Sequence, residues 1–76
     1  MEYLGNLKEF LKDKFLFVIL DLINVNSIMI FNLDTKELQD TQEFYNEHDY
    51  EDYNIKDICL IENRYIQIDV EEIKKD

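Results

Sequence analysis

The chain has 76 residues, of which 18 are Asp or Glu and 8 are Lys or Arg, so its formal net charge at pH 7 is −10. A chain this short removes only about 60% of its unfolded surface from water on folding, which excludes two-domain architectures and large enzyme clefts. The negative charge argues against direct binding of nucleic acid or of an anionic membrane. A hydrophobic fraction of 46% still supplies a core, and we expect residues 1–76 to form a single domain.

The beginning of the chain alternates acidic and basic residues and lacks the basic-then-apolar order of an export signal. The most apolar run, residues 15–23, is interrupted by Asp21 and is shorter than the roughly 20 residues that cross a bilayer. Cys59 is the one cysteine and cannot form an internal disulfide, which is typical of proteins in a reducing compartment. We therefore expect a cytoplasmic protein without membrane contact.

The first predicted element is an amphipathic helix over residues 2–12, where apolar residues recur at three- and four-residue spacing. Residues 15–20 are apolar at both odd and even positions and rich in aromatic and β-branched side chains. This pattern favours a strand that is buried on both faces. The alternative is a helix that continues to about residue 23, because a helical stripe extends through Phe15, Val18 and Leu22.

The next predicted elements are strands joined by tight turns. Asn24 and Asn26 predict a first hairpin turn, because Asn tolerates positive φ. A strand over residues 28–33 follows, and after a turn another strand over residues 37–44, whose charges on both faces indicate the edge of a sheet. Residues 45–53 are polar without an apolar period and predict a loop or an irregular edge.

Two strands over residues 55–61 and 65–70 complete the predicted sheet, since residues 65–70 alternate strictly between apolar and polar side chains. A turn separates them, with Asn63 as the candidate for a left-handed backbone. Residues 71–76 are charged, and we expect them to fray. The sequence predicts an α+β fold in which an N-terminal helix packs on an antiparallel β-meander of four or five strands.

The negative charge is concentrated in the second part of the chain. Residues 1–33 have a net charge of −1, whereas residues 34–53 alone have eight acids against Lys36, a net charge of −7. Such charge runs usually form a solvated surface that discourages edge pairing. The alternative is a surface that imitates nucleic acid, because alternate side chains of a strand lie about 6.6 Å apart, close to twice the ~3.4 Å spacing of phosphates along each DNA strand.

We expect this acidic segment and its tyrosines to bind a partner, because tyrosine rings add flat contact area and stack on Arg guanidinium groups. The alternative for each tyrosine is a core ring with an exposed hydroxyl. The candidate partner-binding residues are Asp40, Glu43, Tyr45, Glu47, Asp49, Tyr50, Glu51, Asp52 and Tyr53.

The residues that catalysis and metal binding require are scarce. Cys59 lies in a predicted apolar strand, where an inert thiol is the usual outcome. His48 has acidic neighbours, but zinc sites normally use more His and Cys ligands. Residues 49–54 lack the Gly of a calcium loop, and one Gly in the whole chain excludes a Gly-rich phosphate loop. We therefore predict no enzyme, no cofactor and no metal site.

Small size and the acidic, tyrosine-containing residues 43–53 (Glu-Phe-Tyr-Asn-Glu-His-Asp-Tyr-Glu-Asp-Tyr) make the chain similar in type to small inhibitors that bacteriophages and mobile elements encode. Anti-CRISPR proteins, anti-restriction proteins and uracil-DNA glycosylase inhibitors belong to that group. The resemblance is one of composition over eleven residues. It implies a non-enzymatic protein in a bacterial host cell that occupies the DNA- or guide-binding surface of a host nuclease or another nucleic-acid-binding protein.

A second hypothesis concerns the apolar part of the chain. Residues 15–33 would then form the interface of a structural, adaptor or immunity-type module. If residues 15–23 expose more apolar surface than one small domain covers, a homodimer through them is expected; the alternative is a central strand already buried on both faces.

Overall fold

The computed structural model describes residues 5–12, 14–25 and 27–74. The helices described there are α1 (Leu7–Lys12), α2 (Lys14–Leu22) and α3 (Thr41–Glu47), with a 3-10 helix at Tyr50–Asp52. The strands are β1 (Ile28–Asn32), β2 (Glu37–Asp40), β3 (Tyr53–Ile61) and β4 (Tyr65–Glu72). The predicted α+β class and the order of helix before sheet are confirmed, with a sheet of four strands.

The strands are arranged in the order β2-β1-β4-β3. The pairs β1–β2 and β3–β4 are antiparallel, but β1 and β4 are parallel, with Ile30 beside Ile68. The sheet is thus mixed, which corrects the predicted all-antiparallel meander. A parallel pair needs a long crossover, and β2, α3 and β3 all lie between β1 and β4 in the chain.

One face of the sheet forms the core together with the helices. The strict alternation of β4 places Ile66, Ile68 and Val70 on this face, as predicted, and all three are buried. Residues of the helices, of the other strands and of the loop after α2 complete the hydrophobic cluster around them; its other buried members are Leu7, Leu16, Leu20, Val25, Ile30, Phe44, Tyr53 and Ile55.

Residues 15–20 are helical, and the predicted strand there is wrong. Leu16 and Leu20 are buried one helical turn apart, while Val18 is 53% exposed. A helix forms here despite the local β-propensity, because it can place both leucines in the core while its backbone satisfies its own hydrogen bonds. No helix in the described part of the chain is long and apolar enough to cross a membrane.

Asn24 ends α2 and does not form a hairpin turn. Its φ of 58° is left-handed, as predicted for this residue, but the turn connects a helix to β1. The backbone N–H of Asn24 donates to the carbonyl of Asp21 at 3.2 Å, and that of Val25 donates to Leu20 at 3.0 Å. These two bonds form a Schellman motif, which brings the buried side chains of Leu20 and Val25 into the core. Asn26 lies outside the described residues.

The predicted strand over residues 37–44 ends at Asp40, and α3 begins at the next residue. The predicted loop at 45–53 is also corrected, because it contains the end of α3, the 3-10 helix and the first residue of β3. The prediction of a strand rested on the alternation of side chains over residues 37–44. It is wrong because the sequence Asp-Thr-Gln-Glu at 40–43 is a helix-capping signature.

The turn between β3 and β4 agrees with the prediction. Glu62 and Asn63 have φ of 50° and 56°, and the N–H of Arg64 donates to the carbonyl of Ile61 at 2.8 Å. The expectation that residues 71–76 fray is wrong for residues 71 and 72, because β4 continues to Glu72. Residues 75–76 lie outside the described residues, as do residues 2–4 of the predicted first helix.

Asn32 is the buried polar residue that organises the β1–β2 turn. Its side-chain Oδ1 accepts hydrogen bonds from the backbone N–H of Asp34 at 2.9 Å and of Thr35 at 3.3 Å. The chain then reverses at Lys36, whose φ is 63°. The turn therefore forms around the side chain of Asn32.

We predict that Asn32→Ala lowers the free energy of unfolding by about 1–3 kcal/mol, because the backbone N–H groups of Asp34 and Thr35 lose their buried acceptor. Urea denaturation measures this change. Thr35→Ala, in the same turn but with an exposed side chain, is the control and should shift the free energy by less than about 0.5 kcal/mol. Equal effects of the two substitutions would contradict this role of Asn32.

Candidate partner-binding site

The acidic segment begins with a capping box at the start of α3. The backbone N–H of Glu43 donates to Asp40 Oδ1 at 2.7 Å, and the N–H of Asp40 donates to Glu43 Oε1 at 3.1 Å. Negative charge at a helix N-terminus is also favourable for the helix dipole. Two of the candidate carboxylates therefore stabilise α3, whatever else they contact.

Phe44 anchors α3 to the core and is completely buried. Its ring centroid lies 4.7 Å from that of His48, 4.9 Å from that of Tyr53 and 6.0 Å from that of Tyr50. These are ordinary distances for favourable aromatic pairs. The cluster therefore connects α3 to the 3-10 helix and to the start of β3.

Tyr53 belongs to this core and is 4% exposed, so the expectation that it contacts a partner is corrected. Its hydroxyl lies 3.1 Å from His48 Nδ1, within hydrogen-bonding distance. The alternation of β3 turns residue 53 to the same face as buried Ile55, which explains why its ring is inside. Tyr50 is half-buried, and its hydroxyl donates to the carbonyl of Thr41 at 2.7 Å. Burial raises the pKa of both tyrosines, so their hydroxyls stay protonated.

The helix divides the acidic residues between two surfaces. Successive residues of an α-helix are about 100° apart, so Glu43 and Glu47 lie on one flank of buried Phe44 and Tyr45 on the opposite flank. The first flank faces β2, where Gln39 Nε2 donates to Glu47 Oε2 at 3.3 Å. The predicted single acidic face is therefore two surfaces, and the spacing argument based on an extended strand does not apply to residues 41–47.

Tyr45 lies at the second surface, which we call the Tyr45 depression. Lys8, Tyr45, Asp49, Tyr50 and Glu51 line this shallow cavity of about 120 Å³. Tyr45 is 57% exposed, and its ring centroid lies 5.1 Å from that of Tyr50. Four of the predicted partner-binding residues thus converge on one place in the structure.

Lys8 of α1 and the preceding Asn6 contribute to this site, although the sequence analysis did not predict them. Lys8 Nζ lies 3.5 Å from Glu51 Oε2, and Asn6 Nδ2 donates to the carbonyl of Glu51 at 2.8 Å. These contacts join residues more than 40 positions apart, and no spacing rule in the sequence connects them. They hold the 3-10 helix against the beginning of α1 and so fix one wall of the depression.

Asp52 lies away from the Tyr45 depression, beside the end of β4. Asp52, Glu72, Ile73 and Lys74 line a second cavity of about 290 Å³. The backbone N–H of Ile73 donates to the carbonyl of Asp52 at 2.8 Å. Asp52 thus lines a different cavity from Tyr45, Asp49, Tyr50 and Glu51, and the site as predicted is not one continuous surface.

A metal site is not formed by the described residues, since they contain no group of three or more His, Cys, Asp and Glu side chains arranged to hold an ion. His48 instead packs on Phe44 and contacts Tyr53. Cys59 is half-buried in β3, and burial raises the pKa of its thiol, which favours the less reactive protonated form.

Comparison of the chain with protein-family models, with curated proteins and with solved structures found no match.

We predict that Phe44→Ala lowers the free energy of unfolding by about 3–5 kcal/mol, because it leaves a cavity among three aromatic rings. The matched control is Tyr45→Ala at the neighbouring, exposed position, for which we expect a change below about 1 kcal/mol. Thermal or urea denaturation distinguishes the two. If both substitutions cost the same, Phe44 is not the anchor of α3.

Asp34 provides a pH-dependent contribution to stability. The backbone N–H of Glu72 donates to Asp34 Oδ2 at 2.9 Å, and this bond lowers the pKa of Asp34 below its usual 3.8; burial opposes the shift and nearby Lys74 assists it. Because the folded-state pKa is the lower one, the stabilisation is present above pH 3.8 and disappears as the pH falls through the folded-state pKa.

We therefore expect Asp34→Asn to be less stable than the native chain at neutral pH and to approach it in stability as the pH is lowered below 3.8. Urea denaturation at a series of pH values measures the difference. A difference that stays constant from neutral to strongly acidic pH would show that the charge of Asp34 has no part in stability.

Proposed function

We propose that this protein is a non-enzymatic inhibitor, of the anti-CRISPR or a similar anti-defence type, that binds the basic nucleic-acid-binding surface of a host nuclease. The observation that carries the proposal is the Tyr45 depression, where an exposed aromatic ring lies beside the carboxylates of Asp49 and Glu51. Nucleic-acid-binding surfaces present Arg and Lys side chains, and this combination of ring and carboxylates suits an Arg side chain.

An arginine can use both features of the depression at once. Its planar guanidinium stacks on an aromatic face and donates two parallel hydrogen bonds to a carboxylate. Asp49 is exposed, and its side chain makes no capping hydrogen bond to the 3-10 helix, which leaves its oxygens able to accept from a partner. The position of Lys8 Nζ, 3.5 Å from Glu51 Oε2, supports the proposal that a cation can bind at this wall.

The depression is also held in place before binding. The Tyr50 hydroxyl is bonded to Thr41, and the neighbouring ring of Phe44 is buried, so two sides of the site are fixed by the core. A preorganised site loses less conformational entropy on binding than a mobile loop. Supporting residues of α3 and the 3-10 helix therefore contribute to affinity without contacting the partner.

The wider charge distribution supports a basic partner. Residues 34–53 have a net charge of −7, and such a field accelerates the encounter with a positively charged surface and makes it sensitive to salt. The same field repels nucleic acid, so the proposal is that the protein binds the nuclease and not its substrate.

We predict that the binding of a basic partner depends on which acidic residues of the chain are present as well as on how many. A labelled oligoarginine peptide is the probe, and its Kd is measured by fluorescence anisotropy at low and moderate salt. The double variant Asp49→Lys with Glu51→Lys should raise Kd at least about tenfold, because the contacts within the depression are lost.

The matched control is Glu37→Lys with Glu47→Lys, which changes the net charge equally but lies on the β2 side of α3. It should raise Kd less, and the difference between the two variants should persist at moderate salt, where general attraction is screened. Equal effects of the two double variants on Kd would mean that the Tyr45 depression does not bind the peptide specifically.

Inhibition itself is tested in bacteria that carry a CRISPR or restriction nuclease. Expression of the native chain should restore plaque formation by a targeted phage, and the Asp49→Lys, Glu51→Lys variant should not. If the native chain leaves every nuclease in a representative panel fully active, the proposed function is wrong.

A second candidate function, a structural, adaptor or immunity-type module, is favoured by the exposed apolar side chains at the end of α2. Leu22 is 78% exposed, and Val18 and Ile23 are also exposed. Such side chains suit a protein partner. Leu22→Lys distinguishes the candidates, because it should abolish partner binding in the second case and leave oligoarginine binding unchanged in the first.

A further inference from the structure

One face of the sheet is left uncovered by the helices. The buried side chains of α1, α2 and α3 all belong to the hydrophobic cluster on the core face, together with strand residues such as Ile30 and Ile68. Alternation along each strand directs the intervening residues to the other side of the sheet. We call this other side the open face, since no helix among the described residues buries a side chain against it.

The open face is more apolar than an ordinary solvated sheet face. When a sheet is covered on one side, its solvated side normally carries polar residues. The central strand β1 instead places Met29 and Phe31 there, and neither packs against the core cluster. Phe31 pairs with Leu38 of β2, which is 42% exposed, and Ile61 of β3 pairs with Tyr65 of β4 on the same face. Apolar side chains grouped in this way are typical of a surface that a protein partner covers.

Two carboxylates lie directly opposite each other on the open face. Asp57 of β3 pairs with Asp69 of β4, and Asp69 in turn lies beside Phe31 of β1. Burial raises the pKa of the Cys59 thiol, and the charges of Asp69 and Asp57 raise it further, as expected for side chains that share one face. One row across the sheet therefore runs from apolar Leu38 and Phe31 to the two carboxylates, which we call the acidic pair.

The isolated chain does not neutralise the acidic pair. Like charges directly opposite each other on neighbouring strands are destabilising. Asp57 Oδ1 accepts from the backbone N–H of Ile58, and Asp69 Oδ1 accepts from Gln67 Nε2, both at 2.9 Å, so the donor in each case is a neutral group. Neither carboxylate forms an ion pair within the described part of the chain.

The cation that is nearest to the acidic pair in sequence is already paired. Lys56 precedes Asp57 at the irregularity of β3, and its Nζ lies 3.5 Å from Glu71 Oε1. An ionised carboxylate has about four acceptor sites, so Asp57 and Asp69 can each accept further hydrogen bonds. A cation from outside the chain would therefore convert an unfavourable pair into a favourable contact.

We propose that the open face binds a segment of a protein partner in which an apolar side chain stands beside an Arg or Lys. The apolar side chain covers Phe31 and Leu38, and the cation lies against Asp57 and Asp69. Neighbouring strands are about 4.8 Å apart, so the apolar and acidic halves of the row are centred about 10 Å apart, which one short segment spans. Arginine suits this site best, because its five N–H donors can serve two carboxylates at once.

The charge of the open face determines which occupant fits. Nucleic acid and anionic membranes would bring further negative charge to the acidic pair. A second copy of this chain, placed face to face, would bring its own acidic pair and a net charge of −10. The helices that form the Tyr45 depression pack on the core face, so the open face is a separate site on the opposite side of the sheet.

Matched peptides test the proposal on the full chain. The probe is a short labelled peptide of alternating leucine and arginine, and its Kd is measured by fluorescence anisotropy at moderate salt. A peptide of serine and arginine has the same charge without the apolar side chains, and its Kd should be at least about tenfold higher. A peptide of leucine and glutamate should not bind, because it repels the acidic pair.

Variants of the chain test the acidic pair itself. Asp57→Asn with Asp69→Asn keeps the acceptor oxygens and should raise the Kd of the leucine–arginine peptide at least about tenfold. The matched control, Glu37→Gln with Glu47→Gln, removes the same charge; Glu37 pairs with buried Asn32 and so lies on the core side of the sheet. This control should change Kd less than about twofold.

Stability and peptide position provide two further measurements. Because the asparagine variant relieves like-charge repulsion, its urea midpoint should be above that of the native chain. Backbone amide shifts on addition of the leucine–arginine peptide should be largest at Met29, Phe31 and Asp69. A lower urea midpoint, equal weakening by the two double variants, equal binding of the serine and leucine peptides, or shifts confined to the Tyr45 depression would overturn the proposal.

Discussion

The burial of Phe44 is the constraint on which the placement of the acidic segment depends. Its ring packs against His48, Tyr50 and Tyr53, and so joins α3, the 3-10 helix and the start of β3. The chain between β2 and β3 could otherwise be a solvated acidic loop, because nothing else in it is fully buried. With Phe44 inside, the helical period directs Glu43 and Glu47 to one side and Tyr45 to the other.

This division gives the carboxylates different roles. Those of Asp40 and Glu43 cap α3, whereas those of Asp49 and Glu51 line the Tyr45 depression.

The sequence predicted those parts of the fold whose signal is local. The alternation in β4 and the left-handed Asn63 were both found where the pattern placed them. Residues 15–20 were misassigned because β-branched and aromatic residues also fit a helix when one of its faces is buried. The capping signature at 40–43 is also local and indicates the start of α3, but the prediction used the alternation of side chains over residues 37–44 instead. The parallel β1–β4 pair and the contact of Lys8 with Glu51 depend on long-range packing, for which a single sequence provides no signal.

Under the proposed function, only one of the two acidic surfaces, the Tyr45 depression, binds a basic partner. The most direct measurement is an NMR titration of the isotope-labelled chain with the oligoarginine peptide, followed through backbone amide shifts. The account predicts saturable shifts at Tyr45, Asp49 and Glu51 with little change at Glu37 and Glu47. Shifts of equal size and equal salt dependence on both sides of α3 would contradict it, because they would show general attraction to negative charge without a defined site.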